Sequence, residues 1–129
     1  MTDSALTVLL VDDNEMIREC VTAYLEDEGF TVHSYATAEE ALELIAAINP
    51  AVCISDMRLP GMHGEEFILQ ACAISPHTRY LLHTGMLYTL SDELRAIGMT
   101  DGDIFLKPLH DLSKLVKKIT QIAAVRGGQ

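Results

Sequence analysis

Short apolar runs and amphipathic stretches alternate five times along this chain, and no other feature constrains its fold as tightly. The runs that read as strands are Leu6–Val11, Thr31–Tyr35, Ala51–Ser55, Tyr80–Thr84 and Ile104–Leu106. Residues 6–11 and 51–55 are nearly continuous in apolar side chains, as strands covered on both faces require. Between the runs the apolar period lengthens to that of a helix. Ile17, Cys20, Val21, Tyr24 and Leu25 share one face, with Gly29 as the stop. Thr37 and Glu40 have capping-box spacing ahead of Ala41, Leu42, Ile45 and Ile48, with Pro50 as terminator. Gly64–Ile74 forms a third helix and Ser91–Ile97 a shorter fourth. Leu112, Leu115, Val116, Ile119 and Ile122 stripe a fifth that starts near Asp111. The alternation predicts an α/β sandwich: a five-stranded parallel sheet with helices on both faces.

Length and charge narrow the function. The 129 residues suit one domain with a core over about 6–124 and, at Arg126–Gln129, a tail or the start of a cut linker. Nineteen acids face nine bases, a net charge of −10. That balance argues against nucleic acid or an anionic membrane as the main ligand, because phosphate binding needs a basic face. Cys20, Cys53 and Cys72 are odd in number and widely spaced, which fits neither a disulfide framework nor a zinc site. The five histidines show no metal-binding spacing. The apolar run near the N-terminus ends at Asp12, far short of the ~18 residues of a membrane span. A soluble, cytoplasmic domain is expected.

In a parallel sheet, ligands bind beyond the carboxyl ends of the strands, where strand order reverses. Asp12 and Asp13 follow the first strand, Asp56 follows the third, Thr84 ends the fourth and Lys107 follows the fifth. Three carboxylates, a hydroxyl and an ammonium would converge on one edge. Clustered carboxylates repel unless a cation joins them, and a hard divalent ion such as Mg²⁺ suits that donor set. Such a site can stabilise a phosphoryl group in transfer to an Asp nucleophile. Each piece also has a plain structural reading. Asp12-Asp13 can cap the helix beginning at Asn14, Asp56 can belong to the turn Leu59-Pro60-Gly61, and Thr84 and Lys107 can be ordinary strand-end residues. Their common placement at one end of successive strands favours a site.

These residues carry a resemblance. Val11-Asp12-Asp13, Asp56 through Gly64, His83-Thr84-Gly85 and Lys107-Pro108-Leu109 together resemble the receiver domain of two-component response regulators, the CheY-like superfamily, over Leu6 to about Ala124. The resemblance implies a doubly wound (βα)5, flavodoxin-like sandwich. It also implies that Asp56 accepts a phosphoryl group from a phosphohistidine on a sensor histidine kinase or histidine phosphotransfer protein. Asp12, Asp13, Asp56 and the backbone carbonyl of Arg58 would hold Mg²⁺, and Lys107 and Thr84 would contact the phosphoryl oxygens. The output would be a change of the surface formed by the fourth helix, fifth strand and fifth helix, read by a downstream protein, with phosphorylation-dependent dimerisation left open.

The chain departs from the family pattern in two places. Ile104 stands three residues before Lys107, where the family usually has Tyr or Phe, and strand alternation aims the adjacent Phe105 at the opposite face. Thr100 occupies the place of a customary Gly, so residues 99–103 are expected to form a rebuilt loop. Tyr88, four residues beyond Thr84, is a candidate substitute aromatic. Residues 107–129 carry one acid and five bases, against eighteen acids and four bases before them. Lys114, Lys117 and Lys118 therefore mark a basic output surface suited to an acidic partner.

Three rival functions compete with the receiver reading. An Asp-nucleophile phosphatase of the haloacid dehalogenase kind needs an Asp where Arg58 stands. A flavodoxin-like cofactor binder needs a phosphate cradle where Asp12-Asp13 would repel it. A phosphorylation-independent adaptor would have no use for the intact acidic set, but the departure at Ile104 keeps that reading open.

Overall fold

Burial follows the sequence pattern strand by strand. The computed structural model describes residues 6–86, 88–107 and 111–127. The strands are β1 (Thr7–Val11), β2 (Thr31–Tyr35), β3 (Val52–Ser55), β4 (Arg79–Thr84) and β5 (Ile104–Leu106). The helices are α1 (Glu15–Asp27), α2 (Ala38–Ile48), α3 (Gly64–Ile74), α4 (Asp92–Ala96) and α5 (Ser113–Gly127). All the strands are parallel, in the order β2-β1-β3-β4-β5. Strand order reverses between β1 and β3, the position where doubly wound sheets bind ligands.

Alternation along the strands divides the core into two layers. Leu9, Val11, Cys53, Tyr80 and Leu82 pack with Ala41 and Ile45 of α2, Phe67 and Ile68 of α3, and Leu94 of α4. Val8, Leu10, Val52, Ile54 and Leu81 pack with Val21 and Leu25 of α1 and with Leu115, Ile119 and Ile122 of α5. Residues 8–11 and 52–55 are buried throughout because helices cover both sides of the sheet.

The expected helix signals operate with some shifts. Thr37 caps α2 by accepting from the Glu40 N–H at 3.2 Å, and Ser91 caps α4 by accepting from the Leu94 N–H at 3.2 Å. Helix α2 stops one residue earlier than Pro50 demands, because Asn49 adopts a left-handed conformation with φ of 51°. Gly98 ends α4 at φ 102°, and the Gly98 and Met99 N–H groups return to the carbonyls of Arg95 and Leu94. A residue with a side chain would be strained there. Helix α5 continues through Arg126 and Gly127, residues expected to belong to a tail.

The loop around Thr100 is rebuilt as a 3₁₀ turn over Asp101–Asp103. Its Asp103 carboxylate, 1% exposed, accepts from the Thr100 N–H at 2.9 Å and pairs with Lys118 Nζ at 2.9 Å. Lys118 is thus engaged inside the molecule, whereas Lys114 and Lys117 are exposed. One of the three lysines expected to form a basic patch on α5 is therefore tied to Asp103 within the fold. The reason is that a nearly buried carboxylate needs a counter-charge more than a solvated face needs another cation.

Candidate functional site

Backbone hydrogen bonds carry the sheet one residue past its strands and place the charged groups. The Asp12 N–H donates to the Tyr35 carbonyl at 3.1 Å, the Asp56 N–H to the Val11 carbonyl at 3.1 Å, and the Lys107 N–H to the Thr84 carbonyl at 2.8 Å. Three side chains far apart in sequence therefore leave the same edge of the sheet.

Lys107 lies between two of the acids. Its Nζ is 2.7 Å from Asp12 Oδ2 and 2.7 Å from Asp56 Oδ2, and Asp12 is only 1% exposed. Burial alone would pull the Lys107 pKa down, but the hydrogen bonds and charges of Asp12 and Asp56 outweigh it and raise the pKa above the ordinary lysine value. Lys107 stays an ammonium at any physiological pH. Asp13 is exposed beside them, and ligand oxygens of Asp12, Asp13 and Asp56 all lie within 4.8 Å of one another. One positive charge meets three carboxylates, a deficit that a hard divalent cation fits.

The structural reading of Asp12-Asp13 as a helix cap fails on geometry. The cap of α1 is Asn14, whose Oδ1 accepts from the Ile17 N–H at 3.0 Å. Asp12 instead uses Oδ1 to accept from the Asn14 N–H at 2.9 Å. Arg18 steadies the same loop, donating from Nη1 to the Asp12 carbonyl at 2.7 Å. The sequence reading missed Arg18; its position one turn into α1 was the available signal.

Asp56 is held as firmly. Its Oδ1 accepts from the Arg58 N–H at 3.2 Å, and the Met57 carbonyl accepts from the Gly64 N–H at 2.7 Å. A Cβ on Gly64 would lie 2.2 Å from the Asp56 carbonyl oxygen, so only glycine lets α3 start this close to the acceptor loop. Thr84 is fully buried, and its hydroxyl accepts from the Met86 N–H at 3.5 Å. Pro108 and Leu109, part of the motif read after Lys107, lie outside the described residues.

The departures fall as alternation requires. Ile104 packs toward the α2–α3–α4 layer and Phe105 toward the α1–α5 layer. Phe105 cannot replace the aromatic that position 104 lacks. His83 lies on the strand beside Thr84, 4% exposed, with neither ring nitrogen hydrogen-bonded. Burial lowers its pKa, and Lys107 lowers it further against the opposing pull of Asp12 and Asp56. An open groove of about 800 Å³ lies beside the segment that follows Asp56, lined by Met57, Leu59, Leu69, Met86 and Tyr88.

The sequence model of the response regulator receiver domain matches residues 8–120. The chain belongs to that family. Over 117 residues the receiver is 31% identical to the regulatory protein VanR of Enterococcus faecium, covering 89% of this chain and 49% of that protein. Over 82 residues it is 39% identical to the C4-dicarboxylate transport transcriptional regulatory protein DctD of Rhizobium meliloti, covering 64% of this chain and 18% of that one. The chain therefore spans less than half the length of these curated relatives. The solved chemotaxis protein CheY4 of Vibrio cholerae superimposes with a TM-score of 0.78 at 30% identity, covering 92% of this chain and 99% of that one.

A receiver is a regulatory domain of two-component signalling. Membership displaces the phosphatase and flavin-binding alternatives. No helix among the described residues is long and apolar enough to cross a membrane.

Proposed function

We propose that this receiver is a phosphorylation switch in which Asp56 takes a phosphoryl group from a kinase or phosphotransfer-protein phosphohistidine. The observation that carries the reading is the single Lys107 ammonium shared by Asp12 and Asp56 at 2.7 Å each. It sets a fixed positive charge against the acceptor and leaves the acidic cluster short of cations. Attack by an Asp56 carboxylate oxygen forms the new P–O bond while the P–N bond to the donor imidazole breaks, its electron pair leaving with the imidazole. Lys107 is positioned to stabilise the charge on the transferred oxygens, and the buried Thr84 hydroxyl lies on the adjoining strand end. Asp12, Asp13, Asp56 and the Arg58 carbonyl would hold Mg²⁺, which would supply further Lewis-acid charge at this edge. The chain acts as a cytoplasmic signalling domain whose own chemistry is limited to gaining and losing that group.

Incubation with acetyl phosphate and Mg²⁺, read by intact mass, tests this directly. Wild type should gain one phosphoryl mass and Asp56→Asn none. A wild type that gains nothing would leave the phosphorylation-independent adaptor as the better reading. Persistence of the phosphoryl group is a second expectation. Arg58 and Met86, in contact at 3.3 Å from Nε to Sδ, present neither carboxylate nor amide to orient an attacking water. Decay measured by mass should therefore be slow, and loss within seconds contradicts it.

A further inference from the structure

The loop between β4 and α4 is tied across to the acceptor side of the molecule at two points. Met86 Sδ meets Arg58 Nε at 3.3 Å, joining the loop to the segment just after Asp56. Two residues further on, the Tyr88 hydroxyl donates to the Glu65 carboxylate in the first turn of α3. Tyr88 also packs against the same apolar layer as Ile104, together with Met86. The loop thus carries an aromatic side chain on the same side of the sheet as Ile104. Its hydroxyl is only partly exposed, and burial with the neighbouring Glu65 carboxylate pushes its pKa up to about 12.

The geometry points to the Tyr88–Glu65 hydrogen bond as a latch that holds the β4–α4 loop against α3 in the unphosphorylated protein and opens when Asp56 is phosphorylated. The inference rests on the phosphoacceptor reading above and names the element that responds. Phosphorylation places about two negative charges on Asp56. Arg58, two residues away with an exposed guanidinium, is drawn to that charge and leaves Met86. The Thr84 hydroxyl, which now accepts from the Met86 N–H at 3.5 Å, turns to donate to a phosphoryl oxygen and gives up that contact. Both local restraints on Met86, two residues before Tyr88, are lost together. Coupling of this kind is reciprocal: a receiver whose latch is already broken accepts the phosphoryl state more readily.

The chain has four tyrosines, so 3-fluorotyrosine labelling yields a resolvable ¹⁹F spectrum in which Tyr88→Phe assigns the Tyr88 signal. Adding beryllofluoride and Mg²⁺ to wild type should move the Tyr88 signal well beyond those of Tyr24 and Tyr35. Tyr88→Phe should bind beryllofluoride about 3- to 10-fold more tightly than wild type, the size expected for one lost hydrogen bond to a charged acceptor. Glu65→Gln, which keeps an acceptor and the helix, should shift affinity in the same direction by less. An unmoved Tyr88 signal in protein that does bind beryllofluoride, with both variants within about twofold of wild type, overturns the latch and leaves the phosphoacceptor reading intact. So does a Tyr88→Phe variant that loses thermal stability without any change in affinity, since that marks a purely structural bond. Failure of wild type to gain phosphoryl mass or bind beryllofluoride overturns both.

Discussion

The two edges of the sheet handle buried polarity in opposite ways. At the amino edge Asp103, Thr78 and Ser75 each have a match. Asp103 faces Lys118 and the Thr100 N–H. Thr78 donates to the Pro50 carbonyl at 2.7 Å and shares a 2.6 Å hydrogen bond with Ser75, whose carbonyl accepts from the Tyr80 hydroxyl at 3.0 Å. At the carboxyl edge three carboxylates cluster beside one ammonium, which pairs with only two of them. Both edges carry buried charge, so burial alone does not mark function. The imbalance does: a protein keeps unmatched charge where a ligand completes it.

The largest test of that contrast removes a cation from each edge. Lys118→Met should cost about 3 kcal/mol, because it strands the Asp103 carboxylate inside the fold. The loss, read by chemical denaturation, should be the same with or without Mg²⁺. Lys107→Met should also destabilise the fold, but Mg²⁺ should recover much of the loss by entering the acidic cluster. Equal indifference to Mg²⁺ in the two variants would break the comparison.

A smaller effect is expected from Asp13→Asn. Removing one exposed acid relieves repulsion, so the variant should be more stable than wild type without divalent ions, by about 0.5–1 kcal/mol. Mg²⁺ should raise its Tm less than it raises that of wild type, since one ligand and one charge are missing.

The smallest concerns His83, next to the acidic edge yet facing the α1–α5 layer. Its folded pKa lies below the ordinary histidine value, through burial first and Lys107 second. The unfolded chain therefore binds a proton that the folded one resists. Stability from this group is full above about pH 6.5 and is lost as pH falls toward the folded pKa. His83→Leu should flatten that part of the Tm–pH curve, and an unchanged slope would show that the carboxylates alone set it.

Much of this was legible in the sequence, for reasons that differ by element. Apart from the end of α5, strand and helix positions shift by one or two residues, because apolar periodicity and caps such as Thr37 are local signals. The opposite orientations of Ile104 and Phe105 follow from strand alternation alone. Helix α5 outran its expected end because composition near Arg126 says little about backbone hydrogen bonding. The pairing of Lys118 was not legible because its partner Asp103 is fifteen residues away, and no periodicity links a 3₁₀ turn to a helix.

The chain by itself determined the fold class, the receiver family and the convergence of Asp12, Asp13, Asp56, Thr84 and Lys107 on one edge. Each follows from the order of strands and the residues that end them. Only the tertiary structure decided how charge is shared there: that Lys107 bridges Asp12 and Asp56, that Asn14 rather than an acid caps α1, and that Tyr88 reaches Glu65. Those are contacts between segments distant in sequence, set by packing to within an ångström. A linear pattern carries no such distance.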